Sequence, residues 1–255
     1  MIDRIKQRSF LFAELAKRDI QGKYKGTVLG MLWSILSPLA TLLIMRLVFT
    51  NFFGSDIAHF TVYLFCGNIV FSYFCDAAGQ GMTAIVDNAG ILTHVNAPKI
   101  LFLLSKNLQA MINFLIMTGV LLFICLLDGV TLTWRVLLLL YPIVLLPIFL
   151  VGLGMILSAL YVHFRDIQYI WGIFTTMLMY VSAIFYSIDR LSPALQRLFF
   201  LNPVYLFIRY FRLTLIDQIV PSLRFHLLLA FVSAASLGLG CILYKKYSRN
   251  FIYKL

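Results

Sequence analysis

The residues with the most evident chemistry lie before residue 30. Arg4, Lys6, Arg8, Lys17, Arg18, Lys23 and Lys25 place seven cations in one short segment, interleaved with Ile2, Ile5, Phe10, Leu11, Phe12, Leu15, Ala16 and Ile20. Cations at that density attract anions, and beside anionic headgroups each Lys or Arg is worth ~1 kcal/mol. The apolar residues are compatible with one helical stripe, so the segment predicts an amphipathic helix lying along a membrane surface. On these residues alone, a simple surface anchor is a better reading than a ligand site.

Two more full charges fall inside long apolar runs. Arg46 stands six residues before the end of its run, about 9 Å at the helical rise, so its side chain can snorkel outward and its depth demands no function. Asp76 precedes Gly79 and Gly81 near the other boundary and reaches interfacial water in the same way. An ion-coupled carrier needs carboxylates near the midplane, and a pump needs a relay of them. With neither, the chain is expected to take its energy from outside.

Other chemistry is missing. There is no G-x-x-x-x-G-K-[ST] phosphate loop, no H-E-x-x-H, no G-x-S-x-G and no D-x-D. His59, His94, His163 and His226 sit at the ends of apolar runs, where an interfacial role is the natural one. Cys66, Cys75, Cys125 and Cys241 lie within apolar stretches without C-x-x-C spacing, so no metal site and no cofactor are expected in this chain. Asp56, Asp128, Asp189 and Asp217 are too dispersed to recommend an enzyme.

The elements that position these residues follow from composition. Of 255 residues, 62% are hydrophobic and 12% charged, and the mean hydropathy is +0.93; the chain reads as an all-α integral membrane protein. The net charge of +11 is distributed between apolar runs rather than on one face, which argues against nucleic acid as a partner. A helix needs about 20 apolar residues to cross, and six segments qualify: 31–52, 60–80, 108–127, 136–161, 169–187 and 225–244.

A weaker run, Leu198 to Ile208, carries Asn202-Pro203 between Arg197 and Arg209. It predicts a re-entrant or interfacial hairpin whose short helices, Pro193 to Leu201 and Val204 to Leu215, break at the proline. The N-terminus is too polar for a signal peptide, and more Lys and Arg fall on its side of the six spans than on the other, predicting both termini in the cytoplasm. The expected organisation is an interface helix over 1–30 and one six-span domain over 31–255, with an outer helical hairpin at about 188–215.

Several motifs resemble those of a known family. Arg18-Asp19-Ile20-Gln21-Gly22-Lys23-Tyr24-Lys25-Gly26, Leu29-Gly30 and Trp33 to Pro38 follow the arrangement R-D-x-x-x-[KR]-Y-[KR]-x-x-x-L-G-x-x-W-x-x-x-x-P. Asp87 to Lys99, Phe164-Arg165-Asp166-Ile167 and Asn202-Pro203 add three further matches, so the likeness samples nearly the whole chain. One departure is His94-Val95-Asn96, less basic and aromatic than is usual there. The chain resembles the transmembrane subunit of ABC transporters that export polysaccharides, the O-antigen, capsule and teichoic-acid exporters; a drug or small-lipid exporter of similar architecture is the alternative.

The resemblance implies a homodimer in the bacterial inner membrane, driven by two separate ATPase subunits that hold ATP and Mg. Its passage would lie at the dimer interface, and its substrate would be an undecaprenyl-type lipid-linked glycan. A lipid diphosphate would meet Arg4, Arg8, Lys17, Arg18, Lys23 and Lys25, with Arg18 and Lys25 foremost because they lie in the motif. Sugar rings would pass aromatics such as Phe49, Phe52, Tyr63, Phe71, Tyr73 and Tyr180. The ATPase would press on the connections 82–107 and 162–168 at Asn88, Leu92, Val95, Pro98, Lys99, Arg165 and Asp166. Phe199, Asn202, Pro203 and Arg209 would shape an outer gate.

Overall fold

The structure is a computed structural model describing residues 2–24, 28–53, 57–94 and 97–248. Every regular element among the described residues is helical. The first, α1 (Ile2–Tyr24), buries Leu15, Ala16 and Asp19 on one face, the i, i+1, i+4 pattern of a docked helix, and leaves Arg8, Lys17 and Arg18 exposed. A 3-10 turn at Gly30–Leu32 leads into α2 (Trp33–Phe53). Next come α3 (Phe60–Asp87), α4 (Ala89–His94) and α5 (Ile100–Leu127). A 3-10 segment, Trp134–Leu139, runs into α6 (Leu140–His163), followed by α7 (Ile167–Val181), α8 (Pro193–Phe199), α9 (Pro203–Leu215) and α10 (Leu223–Tyr247).

Five of these are long and apolar enough to cross a membrane: α2, α3, α5, α6 with its 3-10 lead, and α10. The central one is α3, packed against α5, α6, α9 and α2. The closest crossing joins α6 to α10. A Cβ built on Gly152 would stand 2.4 Å from the backbone of Ser236 and Leu237, and one on Gly240 would stand 2.4 Å from the Gly152 carbonyl. Glycine is what lets these two backbones touch, and Ser236 Oγ donates to the Phe149 carbonyl across the contact at 2.9 Å.

The remaining expected span, 169–187, takes a mixed form. Its helical part, α7, has 15 residues, about 22 Å of rise, and the chain then leaves helical geometry through buried Ser182 to Phe185. Bare backbone is not tolerated at membrane depth unless protein satisfies it. Here Asn202 Nδ2 donates to the Val181 carbonyl at 3.2 Å, and Arg212 donates to the carbonyls of Ala183 and Ile184 at 2.8 and 3.0 Å. Ala183 adopts a φ of +49°, a left-handed conformation rare for a residue with a side chain, at this turn.

The hairpin breaks where the sequence puts Asn202-Pro203. Proline occupies the first helical position of α9, and Asn202 Oδ1 accepts from the Val204 and Tyr205 amides at 3.0 and 3.4 Å. Ten of the 13 residues of α9 are buried, against α3 and the 3-10 lead of α6.

Candidate functional site

Many of the candidate residues fall towards one or other end of α3. At the α1 end, Leu15 packs in one cluster with Ile85 of α3, Leu92 of α4, Phe102 of α5 and Val162 of α6. Asp19 is pinned beneath this helix. Its carboxylate accepts from Ser105 Oγ at 2.8 Å, Lys106 Nζ at 3.2 Å, and the neighbouring Arg18 guanidinium at 2.7 and 3.1 Å. Four donated hydrogen bonds compensate the burial of the charge and fasten α1 to the first turns of α5.

The cation set is only partly assembled. Arg8, Lys17 and Arg18 are exposed on α1, with Arg18 tied to Asp19. Lys25 lies outside the described residues, and the side chains of Arg4 and Lys23 lie outside them as well. Sequence reasoning missed Asp19, Ser105 and Lys106. The signal was present: Asp19 falls four residues after Leu15, on the apolar stripe, where an unpaired carboxylate is not tolerated.

Both short connections reach this same end. Asn88 is buried and caps α3, its Nδ2 donating to the Ala84 carbonyl at 2.8 Å. The Pro98 carbonyl accepts the Leu101 amide at 3.0 Å, starting α5. Lys99 bridges to the last turn of α10 through the Ser248 carbonyl, and desolvation pulls its ammonium below the usual lysine range. Arg165 and Asp166 are exposed in the turn between α6 and α7, Arg165 lying over the Tyr161 ring at 5.1 Å. Val95 is outside the described residues.

The aromatic candidates do not share one surface. Phe71 and Tyr73 are buried in helix packing, Tyr73 stacking on Phe114 at 4.6 Å and donating to Asn107 Oδ1 at 3.2 Å. Tyr73 also borders a 410 Å³ groove between α2, α3 and α5, where Ser34, Ser37, Asn68, Ser72, Asp76 and Asn113 place polar atoms among Trp33 and Phe114. Phe49 stacks on Phe185 at 4.6 Å, and Tyr180 is exposed on α7. Tyr63 stands at the hairpin end. The Phe52 side chain is outside the described residues.

At that hairpin end the central residue is Arg212, which the sequence reading passed over. It is 6% exposed, donates to the carbonyls of Tyr63, Ala183 and Ile184 at 2.8 to 3.3 Å, and lies 3.4 Å from the centre of the Tyr63 ring. One guanidinium fork therefore ties α9, α3 and the turn after α7 together. Asn202 adds a bond to Ser182 Oγ at 3.0 Å, and Phe199 packs edge-on to Tyr205 and Tyr186. Arg209 donates to Tyr205 Oη at 3.1 Å and covers the Phe200 ring at 4.8 Å.

Beside these residues is a 470 Å³ hollow lined by Tyr63, Tyr186, Tyr205, Asp189, Asp217 and both arginines, among others. Burial pushes the Asp217 carboxyl above its usual range, against the opposing pull of Arg209 and Arg212. Among the described residues no group of three or more His, Cys, Asp or Glu side chains is placed to hold a metal ion.

Known proteins of similar sequence cover most of the chain. It is 26% identical over 245 residues to the O-antigen export system permease protein RfbA of Myxococcus xanthus, spanning 94% of each chain. A permease of the same name from Klebsiella pneumoniae is 26% identical over 200 residues, 76% of this chain and 75% of that one. The capsule polysaccharide export inner-membrane protein CtrC of Neisseria meningitidis is 22% identical over 193 residues, 74% and 73% of the two chains. The profile of the ABC-2 type transporter family matches residues 11–216, so the chain belongs to that family.

Proposed function

We propose that this chain is the membrane-spanning subunit of an ATP-driven exporter that moves a lipid-linked polysaccharide of O-antigen or capsule type out of the cytoplasm. The observation that carries this is the family match together with a relative along 94% of the chain named for O-antigen export and another along 74% of it named for capsule polysaccharide export. Two copies form the passage, and two separate ATPase subunits bind ATP and Mg. The chain has no phosphate loop of its own, so the bias between two states of the passage is supplied by nucleotide binding elsewhere.

The geometry supports this division of labour. Asn88, Leu92, Pro98, Lys99, Arg165 and Asp166 belong to connections that meet at the α1 end, where a soluble partner can press on the helices. With the termini in the cytoplasm, as the distribution of Lys and Arg favours, the cations of α1 meet the lipid diphosphate at the inner leaflet. The hairpin with Phe199, Asn202, Pro203 and Arg209 then shapes the exit. No residue of α7 is buried in the single chain and α2 is almost bare, apolar faces suited to a second copy, with Phe49 and Tyr180 as the candidate ring surfaces on them, whereas Phe71 and Tyr73 are buried on α3.

Deletion of the gene should leave lipid-linked glycan accumulated on the cytoplasmic side, relieved by re-expression. Accumulation of a small lipid or a drug, with glycan export intact, would replace this reading with the small-molecule exporter.

A further inference from the structure

The hollow at the hairpin end has a charge balance that selects its ligand. Among the described residues, four charged side chains line it, Arg209 and Arg212 against Asp189 and Asp217, together with three tyrosines, Tyr63, Tyr186 and Tyr205. A phosphate drawn by the arginines would meet two carboxylates, and a metal ion drawn by the carboxylates would meet two guanidinium groups. A carboxylate only accepts and a guanidinium only donates, whereas a hydroxyl does both. Adjacent hydroxyls on a ring therefore satisfy the two kinds of group at once, and the apolar CH faces of a sugar suit the tyrosine rings.

The groups are also held in place. Arg212 is locked by its three carbonyls, Arg209 by Tyr205 Oη and the Phe200 ring, and Asp189 by Ser187 Oγ, which donates to it at 2.5 Å. A fixed polar set on aromatic walls, in a hollow of 470 Å³, has the size and composition of a small-molecule site.

We propose that this hollow is a saccharide subsite that takes one or two neutral sugar units of the glycan as it leaves the passage, with Asp189 and Asp217 accepting from ring hydroxyls and Arg209 donating to them. The assignment rests on the glycan-export reading. Its affinity must be weak, because a conducting site has to release what it binds.

The test uses the complete complex in cells whose glycan carries an azido sugar. A photoreactive benzoylphenylalanine is placed at Leu213 in the hollow, at Ser72 in the groove between α2, α3 and α5, or at Phe231, an exposed position on α10. Leu213 should capture labelled glycan well above Phe231. Asp189→Asn with Asp217→Asn should cut that capture about fivefold or more, the loss of at least one hydrogen bond to a charged group, while the complex still elutes intact. Asp189→Asn alone serves if the double variant fails to assemble. Capture at Ser72 without capture at Leu213, capture of phospholipid at Leu213, or undiminished capture in the intact variants would each overturn the subsite and leave glycan export standing. Absence of glycan at every position, with export unaffected by deletion of the gene, would overturn both.

Discussion

Two side chains bear unusual responsibility in this chain, and both are ionised groups withdrawn from water. Arg212 serves three backbone carbonyls, two of them, Ala183 and Ile184, in the non-helical turn after α7. Arg212→Met should remove these donors and lower stability by on the order of 3 kcal/mol, read as a fall in the thermal unfolding midpoint of the detergent-solubilised protein. Arg212→Lys should recover only part of the loss, because a point ammonium lacks the planar fork; full recovery would show that charge alone matters. Asp19 fastens α1 to Ser105 and Lys106. Asp19→Ala should cost about 1.5–3 kcal/mol of local stability and render α1 sensitive to limited proteolysis while the other helices resist. Unchanged cleavage would mean that Leu15 and Ala16 alone hold the helix.

Among the elements, the contrast lies between tightly and loosely packed helices. The α6–α10 crossing leaves no room for a Cβ at Gly152, whereas nothing lies within 4 Å of one at Gly172 on α7. Gly152→Ala should therefore force the two helices apart and lower the unfolding midpoint, a cost of about 1–3 kcal/mol for overpacking. Gly172→Ala should be neutral or stabilise by up to about 1 kcal/mol through helix propensity. If the two variants behave alike, the close crossing is not what holds α6 and α10. The same contrast separates a packed block built of α3, α5, α6, α9 and α10 from the more exposed α2 and α7.

For the molecule as a whole, the proposed path begins with the α1 cations. Arg18 is entangled with Asp19, so its reversal would disturb the fastening as well as any phosphate contact. Arg8 and Lys17 are exposed and separate the two effects. Arg8→Glu with Lys17→Glu should reduce glycan export strongly while leaving assembly with the ATPase intact, measured by co-purification and by surface glycan. Normal export in that variant would return α1 to the role of a surface anchor.

The sequence determined the helical class, most span positions, the amphipathic α1 and the break at Asn202-Pro203, because each depends on local composition, period or a single proline. What only the tertiary structure decided are contacts between residues far apart in the chain. Asp19 meets Ser105, Gly152 meets Gly240, and Arg212 meets Tyr63 and Ala183. The shortening of α7 belongs with these. Apolar character continues to Tyr186, and the donors on Asn202 and Arg212, brought back by α9, together with Tyr186 Oη on the Tyr180 carbonyl, allow the backbone to abandon its own hydrogen bonds at Ser182. Hydropathy records where a chain can enter lipid; which buried polar groups find partners there depends on how the helices meet.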